Sequence, residues 1–165
     1  YLSAIDDVSK EKYVDKARLG CVGASYGGYS VFYLAGIHNN RFKTFISHDG
    51  IFDTKSMYGT TEELWFVNFD YGGAYWDKNQ AAQKTYSAQN PINHVAKWNT
   101  PIMIVQGGMD FRVPIEQGLQ AFQAAQLRGI KSKLLYLPGE NHWVSTAQNG
   151  LVWQREFFKW LKETL

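Results

Sequence analysis

Apolar positions along the chain fall into two alternating periods. Short apolar runs at 18–24, 42–48, 100–108 and 133–138 have strand length, and the segments that follow them repeat apolar residues at helical spacing. Tyr26 to His38, rich in Tyr, Val, Phe, Leu and Ala, reads as a helix stopped by His38-Asn39-Asn40. Pro114 opens a helix that reaches about Arg128 and closes at Gly129. From Thr146 or Ala147 to Leu165 a last helix repeats Leu151, Val152, Phe157, Phe158 and Leu161, and Leu2, Ile5 and Val8 place another within Tyr1–Tyr13. The run Ile102-Met103-Ile104-Val105 is continuously apolar, as in a parallel strand buried on both faces. Strand then helix, four times over, predicts an α/β fold of parallel strands joined by right-handed crossovers.

One stretch breaks the rhythm. Ile51 to Lys97 is irregular and dense in aromatic residues, among them Phe52, Tyr58, Trp65, Phe66, Tyr71, Trp76 and Tyr86. Thr60-Thr61 with Glu62-Glu63 caps a short helix near 61–69, Tyr71-Gly72-Gly73 breaks it, and Asp77 to Ser87 forms another.

Composition narrows the function classes. The chain has 165 residues, one domain's worth, with 45% hydrophobic and 19% charged residues, which describes an ordinary globular protein. The formal charge of +2 comes from scattered Lys and Arg, so no nucleic-acid footprint is expected. A single cysteine, Cys21, excludes an intrachain disulfide framework and an all-cysteine metal site, and reads as a small buried hydrophobe. No run of 18 apolar residues exists for a membrane span. No metal-ligand spacing or phosphate-cradling glycine loop occurs, so neither metal nor cofactor is expected. The opening lacks an initiator Met and a targeting segment, and the chain reads as the C-terminal piece of something longer.

The first strand ends in Gly23-Ala24-Ser25-Tyr26-Gly27, a Gly-x-Ser-x-Gly pattern between strand and helix. Such a turn strains the backbone at the serine and exposes its hydroxyl at the strand tip. Side chains at Gly23 and Gly27 are expected to collide with the neighbouring strand and helix. Asp110 follows the third strand and His142 the fourth. In an open α/β sheet, ligands sit beyond the carboxyl ends of the strands, where all three groups can meet. An alcohol needs a base to become a nucleophile at neutral pH, and His142 fits that role with Asp110 orienting it. His38, His48 and His94 do not occupy a late strand end. The order Ser, Asp, His is that of an α/β-hydrolase. The amide of Tyr26 points into the space beside Ser25, as an oxyanion-hole donor would. The aromatic segment suits the wall of a pocket for an apolar side chain.

Gly23-Ala24-Ser25-Tyr26-Gly27-Gly28, Gln106-Gly107-Gly108-Met109-Asp110-Phe111-Arg112-Val113-Pro114 and Glu140-Asn141-His142 resemble the catalytic domain of prolyl oligopeptidase family serine peptidases. Within that family the likeness is to the dipeptidyl-peptidase and acylaminoacyl-peptidase branch, over essentially the whole chain. The resemblance implies residues 1–165 are the C-terminal half of an α/β-hydrolase domain, about four parallel strands with flanking helices, without its propeller and first half. It implies hydrolysis of short peptides through an acyl-enzyme on Ser25, with release of dipeptides from the amino end. Arg112 resembles the family arginine that binds a substrate carbonyl, and Ile51, Met57, Trp65 and Val113 are expected to line the pocket for the residue before the cut bond. Trp143 departs from the small residue often found after the histidine. By the same likeness, the second oxyanion donor and the groups gripping a free amino terminus lie upstream of Tyr1. The isolated piece is then expected to be inactive and to associate through the open edge of its first strand or through the hydrolase domain. A periplasmic or secreted location also follows from the dipeptidyl-peptidase likeness. An acylaminoacyl-peptidase, a carboxylesterase or lipase with the same three groups, and a non-enzymatic binding module remain the alternative readings.

Overall fold

The computed structural model describes residues 1–165. Four parallel strands form one sheet in the order β1-β2-β3-β4, namely β1 Gly20–Ala24, β2 Thr44–His48, β3 Ile102–Gly107 and β4 Ser132–Leu137. Register is regular, with Ala24 opposite His48, His48 opposite Val105 and Gly107 opposite Leu137, so every carboxyl end lies on one rim. The helices are α1 Leu2–Val8, α2 Tyr26–Ala35, α3 Thr54–Thr60, α4 Leu64–Asp70, α5 Gln80–Tyr86, α6 Ile115–Leu127 and α7 Ala147–Thr164.

Alternation along the central strands feeds two cores. Phe45, Ile102 and Ile104 face Val31, Phe32 and Leu34 of α2 and Ala121 and Ala125 of α6. Ile46, Met103 and Val105 face the other way, onto Trp160 with Trp153, Phe157 and Leu161 of α7. Trp160 also donates its indole N–H to Thr44 Oγ1 at 2.8 Å, which pins α7 to the start of β2. Leu151 and Phe158, expected on the packed face of α7, point to solvent, because the buried stripe runs through Trp153, Phe157, Trp160 and Leu161. No helix is long and apolar enough to cross a membrane.

The segment 51–97 is more ordered than its sequence suggests. It holds α3, which the pattern did not reveal, and a 3-10 helix over Pro91–Lys97. Asp53 caps α3 by accepting from the Lys55 amide, and Asn79 caps α5 by accepting from the Ala82 amide. Ile51, Met57, Val67, Tyr71, Ala82, Tyr86 and Val113 form a third core joining this segment to the loop after β3.

β1 is an edge strand, and Val22 is half exposed on it. Cys21 is only part-buried there, with burial raising its thiol to about 11.

The turn after β1 is held by close backbone approach. A methyl group at Gly23 would run into the Gly27 carbonyl, and one at Gly28 would meet Gly50 Cα at 2.6 Å. Gly27 itself has open space where a Cβ would go, so the expected clash belongs to Gly28 instead. Gly23→Ala should therefore cost about 1–3 kcal/mol of stability through overpacking, read by chemical denaturation.

Candidate active site

Ser25 follows β1 directly and precedes the first residue of α2, at φ 57 and ψ −118, a left-handed conformation that L residues rarely hold. Its amide donates to His48 O at 2.9 Å and its carbonyl accepts from Tyr29, so the strained residue is tied to both β2 and α2. The Tyr26 amide opens the helix and has no intrahelical partner, which leaves it free to receive an anion.

Asp110 lies three residues past β3, and its side chain is fully buried. One carboxylate oxygen accepts from the amides of Arg112 at 3.0 Å and Val113 at 2.8 Å; the other is 2.7 Å from His142 Nδ1. Two amides fix the carboxylate so that its second oxygen can hold one imidazole nitrogen, leaving Nε2 free of that contact. The His142 side chain keeps 9% exposure, at the mouth of a groove of about 390 Å³ that also touches Arg112 and Trp143. The structure joins Asp110 and His142 directly. The Ser25 hydroxyl makes no hydrogen bond to His142 in this arrangement, and bonds of this kind commonly tighten only once substrate is bound.

The loop carrying His142 is secured from below. A side chain at Gly107 would strike the Asn141 carbonyl, so β3 and this loop lie backbone against backbone. Glu140 is buried, and its carboxylate accepts from the Ser145 amide at 2.8 Å, the Thr146 amide at 3.3 Å and Asn149 Nδ2 at 2.6 Å. Its own carbonyl accepts from the Met109 amide at 2.8 Å, which ties the Asp110 loop to the His142 loop.

Beside Tyr26 a cavity of about 280 Å³ opens, walled by Tyr26, Tyr29, Ile51, Phe66 and Tyr71, with Thr54 among its polar groups. Of the residues expected in the pocket wall, Ile51 lines this cavity, while Met57 and Val113 are buried in the core behind it. Trp65 stands outside, 77% exposed, because the phase of α4 turns its neighbour Phe66 inward. Arg112 lies in the groove with His142, where its Nη2 is 2.9 Å from Glu63 Oε1. That partner had no signal in the sequence beyond a pair of glutamates used as a helix start.

Four parallel strands, an elbow serine on one strand end and an aspartate–histidine pair beyond two later ones define an α/β-hydrolase fold. The model of the Prolyl oligopeptidase family matches residues 1–165, and the chain belongs to that family. It is 52% identical to a dipeptidyl-peptidase 5 of Porphyromonas gingivalis over 166 aligned residues, covering 100% of this chain and 24% of that protein. A dipeptidyl-peptidase 5 of Schizosaccharomyces pombe is 37% identical, covering 90% of this chain and 21% of that one. The chain thus spans about a quarter of the length of these relatives. Among solved structures, Pyrococcus horikoshii acylaminoacyl peptidase matches at a TM-score of 0.86 and 18% identity, covering 98% of this chain and 26% of that one. Porphyromonas gingivalis dipeptidyl peptidase 4 matches at 0.82 and 20%, covering 99% and 22%. At those identities the structural matches speak for the fold.

Hydrogen bonds to the ionised form hold the Glu140 carboxyl well below the usual carboxylate range, down to about 2, with Thr146 and Asn149 the leading donors. A depressed carboxyl contributes stability above its unfolded value and loses it as pH falls through its folded value. Glu140→Gln should accordingly lower stability at pH 7, and the gap to the native protein should close between about pH 4.5 and pH 2 in urea melts.

Proposed function

We propose that this chain forms the catalytic part of a serine peptidase that releases dipeptides from the amino end of short peptides. The observation that carries this reading is the 2.7 Å contact between buried Asp110 and His142, on the sheet rim where Ser25 stands at a strained turn. The naming of its relatives as dipeptidyl-peptidases supports the leaving group, and the cavity beside Tyr26 supports an apolar side chain before the cut bond.

In this reading Ser25 Oγ attacks the scissile carbonyl carbon while His142 Nε2 takes its proton. Asp110 holds the imidazole by its other nitrogen and offsets its positive charge. The carbonyl oxygen, now negative, accepts from the Tyr26 amide, a kind of contact worth about 2.7–4 kcal/mol where single donors have been removed. Collapse of the tetrahedral adduct breaks the C–N bond, and His142 returns the proton to the departing amine. Water, deprotonated by the same imidazole, then frees the acyl group from Ser25. Arg112 offers its planar fork to a substrate carbonyl on the acyl side, at a groove it shares with His142. Peptide is the only partner this reading needs.

Acylaminoacyl-peptidase activity is the second reading. It differs in what the groove accepts at the amino end. Peptide-library cleavage by the full-length protein separates the two, since free amino termini two residues from the cut support the first and blocked single residues the second. Ser25→Ala and His142→Ala should each lower kcat by at least about a thousandfold and abolish fluorophosphonate labelling. Labelling that survives His142→Ala would remove the peptidase assignment.

A further inference from the structure

We propose that Asp49 is a positioning residue for the general base, a second buried carboxylate that faces the Asp110–His142 pair and stabilises the charged imidazole during proton transfer. This rests on the assignment of His142 as that base.

Asp49 follows β2 directly, between the strand that presents Ser25 and the strand that presents Asp110. It is 1% exposed and sits at φ 44. The turn is forced by its neighbour, because Gly50 lies against Gly28 at the start of α2, and a short polar side chain tolerates the left-handed conformation. Its amide donates to Val105 O and its Oδ1 accepts from the Gly107 amide, both at 2.9 Å, extending the β2–β3 pairing towards the Asp110 loop. Its Oδ2 is buried without a hydrogen bond, 3.2 Å from His48 Nε2. A carboxylate oxygen of Asp49 also lies within 4.8 Å of both an Asp110 oxygen and a His142 ring nitrogen.

Holding the Gly107 amide requires one acceptor, which an asparagine would supply without charge. A carboxylate enclosed with one oxygen lacking a hydrogen bond is costly, and two imidazoles can offset its charge, His48 at 3.2 Å from that oxygen and His142 within 4.8 Å of the carboxylate. Asp110 is already committed to two amides and Nδ1, so Asp49 adds a separate negative field where water is excluded. The groups facing Asp49 are His48 on β2, Asp110 after β3 and His142 after β4; the His48 ring in turn packs on Trp153 of α7.

The test is the pH profile of kcat/KM for the full-length enzyme on a dipeptidyl chromogenic substrate. Asp49→Asn keeps an oxygen for the Gly107 amide and removes the charge. The charged imidazole is then less favoured, so the acid limb should move to lower pH by about half a unit or more while kcat falls. An acid limb that stays in place, however far kcat falls, overturns the proposal and leaves Asp49 a purely structural strut. Asp49→Ser, which also retains an acceptor, gives the same reading if the asparagine variant does not fold. Hydrolysis that persists in Ser25→Ala sinks the peptidase reading itself; an unmoved limb with Ser25 still essential sinks only the role of Asp49.

Discussion

The backbone at Ser25 is the constraint on which the site depends. A residue held at φ 57 and ψ −118 costs about 1–3 kcal/mol, and such strain persists only where its surroundings over-determine it. Here the surroundings are specific. Gly23 and Gly28 let the turn close against Gly27 and Gly50, His48 O captures the serine amide, and the packed face of α2 holds the helix in place. The gain is positional, for Ser25 is left part-exposed between the strand end and the unpaired amide that begins α2.

The opposite half of the site is built by hydrogen-bond satisfaction rather than strain. Asp110 is oriented by two backbone amides, and Glu140 gathers the amides and side chain that lead into α7. Because Met109 donates to the carbonyl of Glu140, the aspartate and histidine loops are tied to one another. The sheet then sets the separation between that unit and the elbow, with Asp49 filling the interval. Stability and chemistry share these contacts, which is why the buried acids cluster at the rim and not in the helical layers.

Much of this was legible in the sequence, for identifiable reasons. The four strands were readable because their apolar runs are short and bounded by polar or glycine breaks, and Ser25, Asp110 and His142 stood out because each follows a strand end. The segment 51–97 was harder. It packs about its own small core, so its apolar residues answer to one another and not to a single helical or strand period, and α3 carries no period of its own in the sequence. Trp65 and Phe66 are adjacent and both aromatic, and the phase of α4 decides which one faces the cavity. Asp49 reads as a turn residue before a glycine; its burial comes from the end of β3 and from the loops that carry Asp110 and His142, which local sequence does not encode.

A crystal structure of the full-length protein carrying a peptidyl phosphonate answers the central question most directly. The account predicts a covalent bond from Ser25 Oγ to phosphorus, the Tyr26 amide on the phosphonyl oxygen, and His142 Nε2 within about 2.6–3.2 Å of Oγ or the leaving-group position. An adduct at Ser25 with the imidazole of His142 turned away from it, still bonded to Asp110, would contradict it.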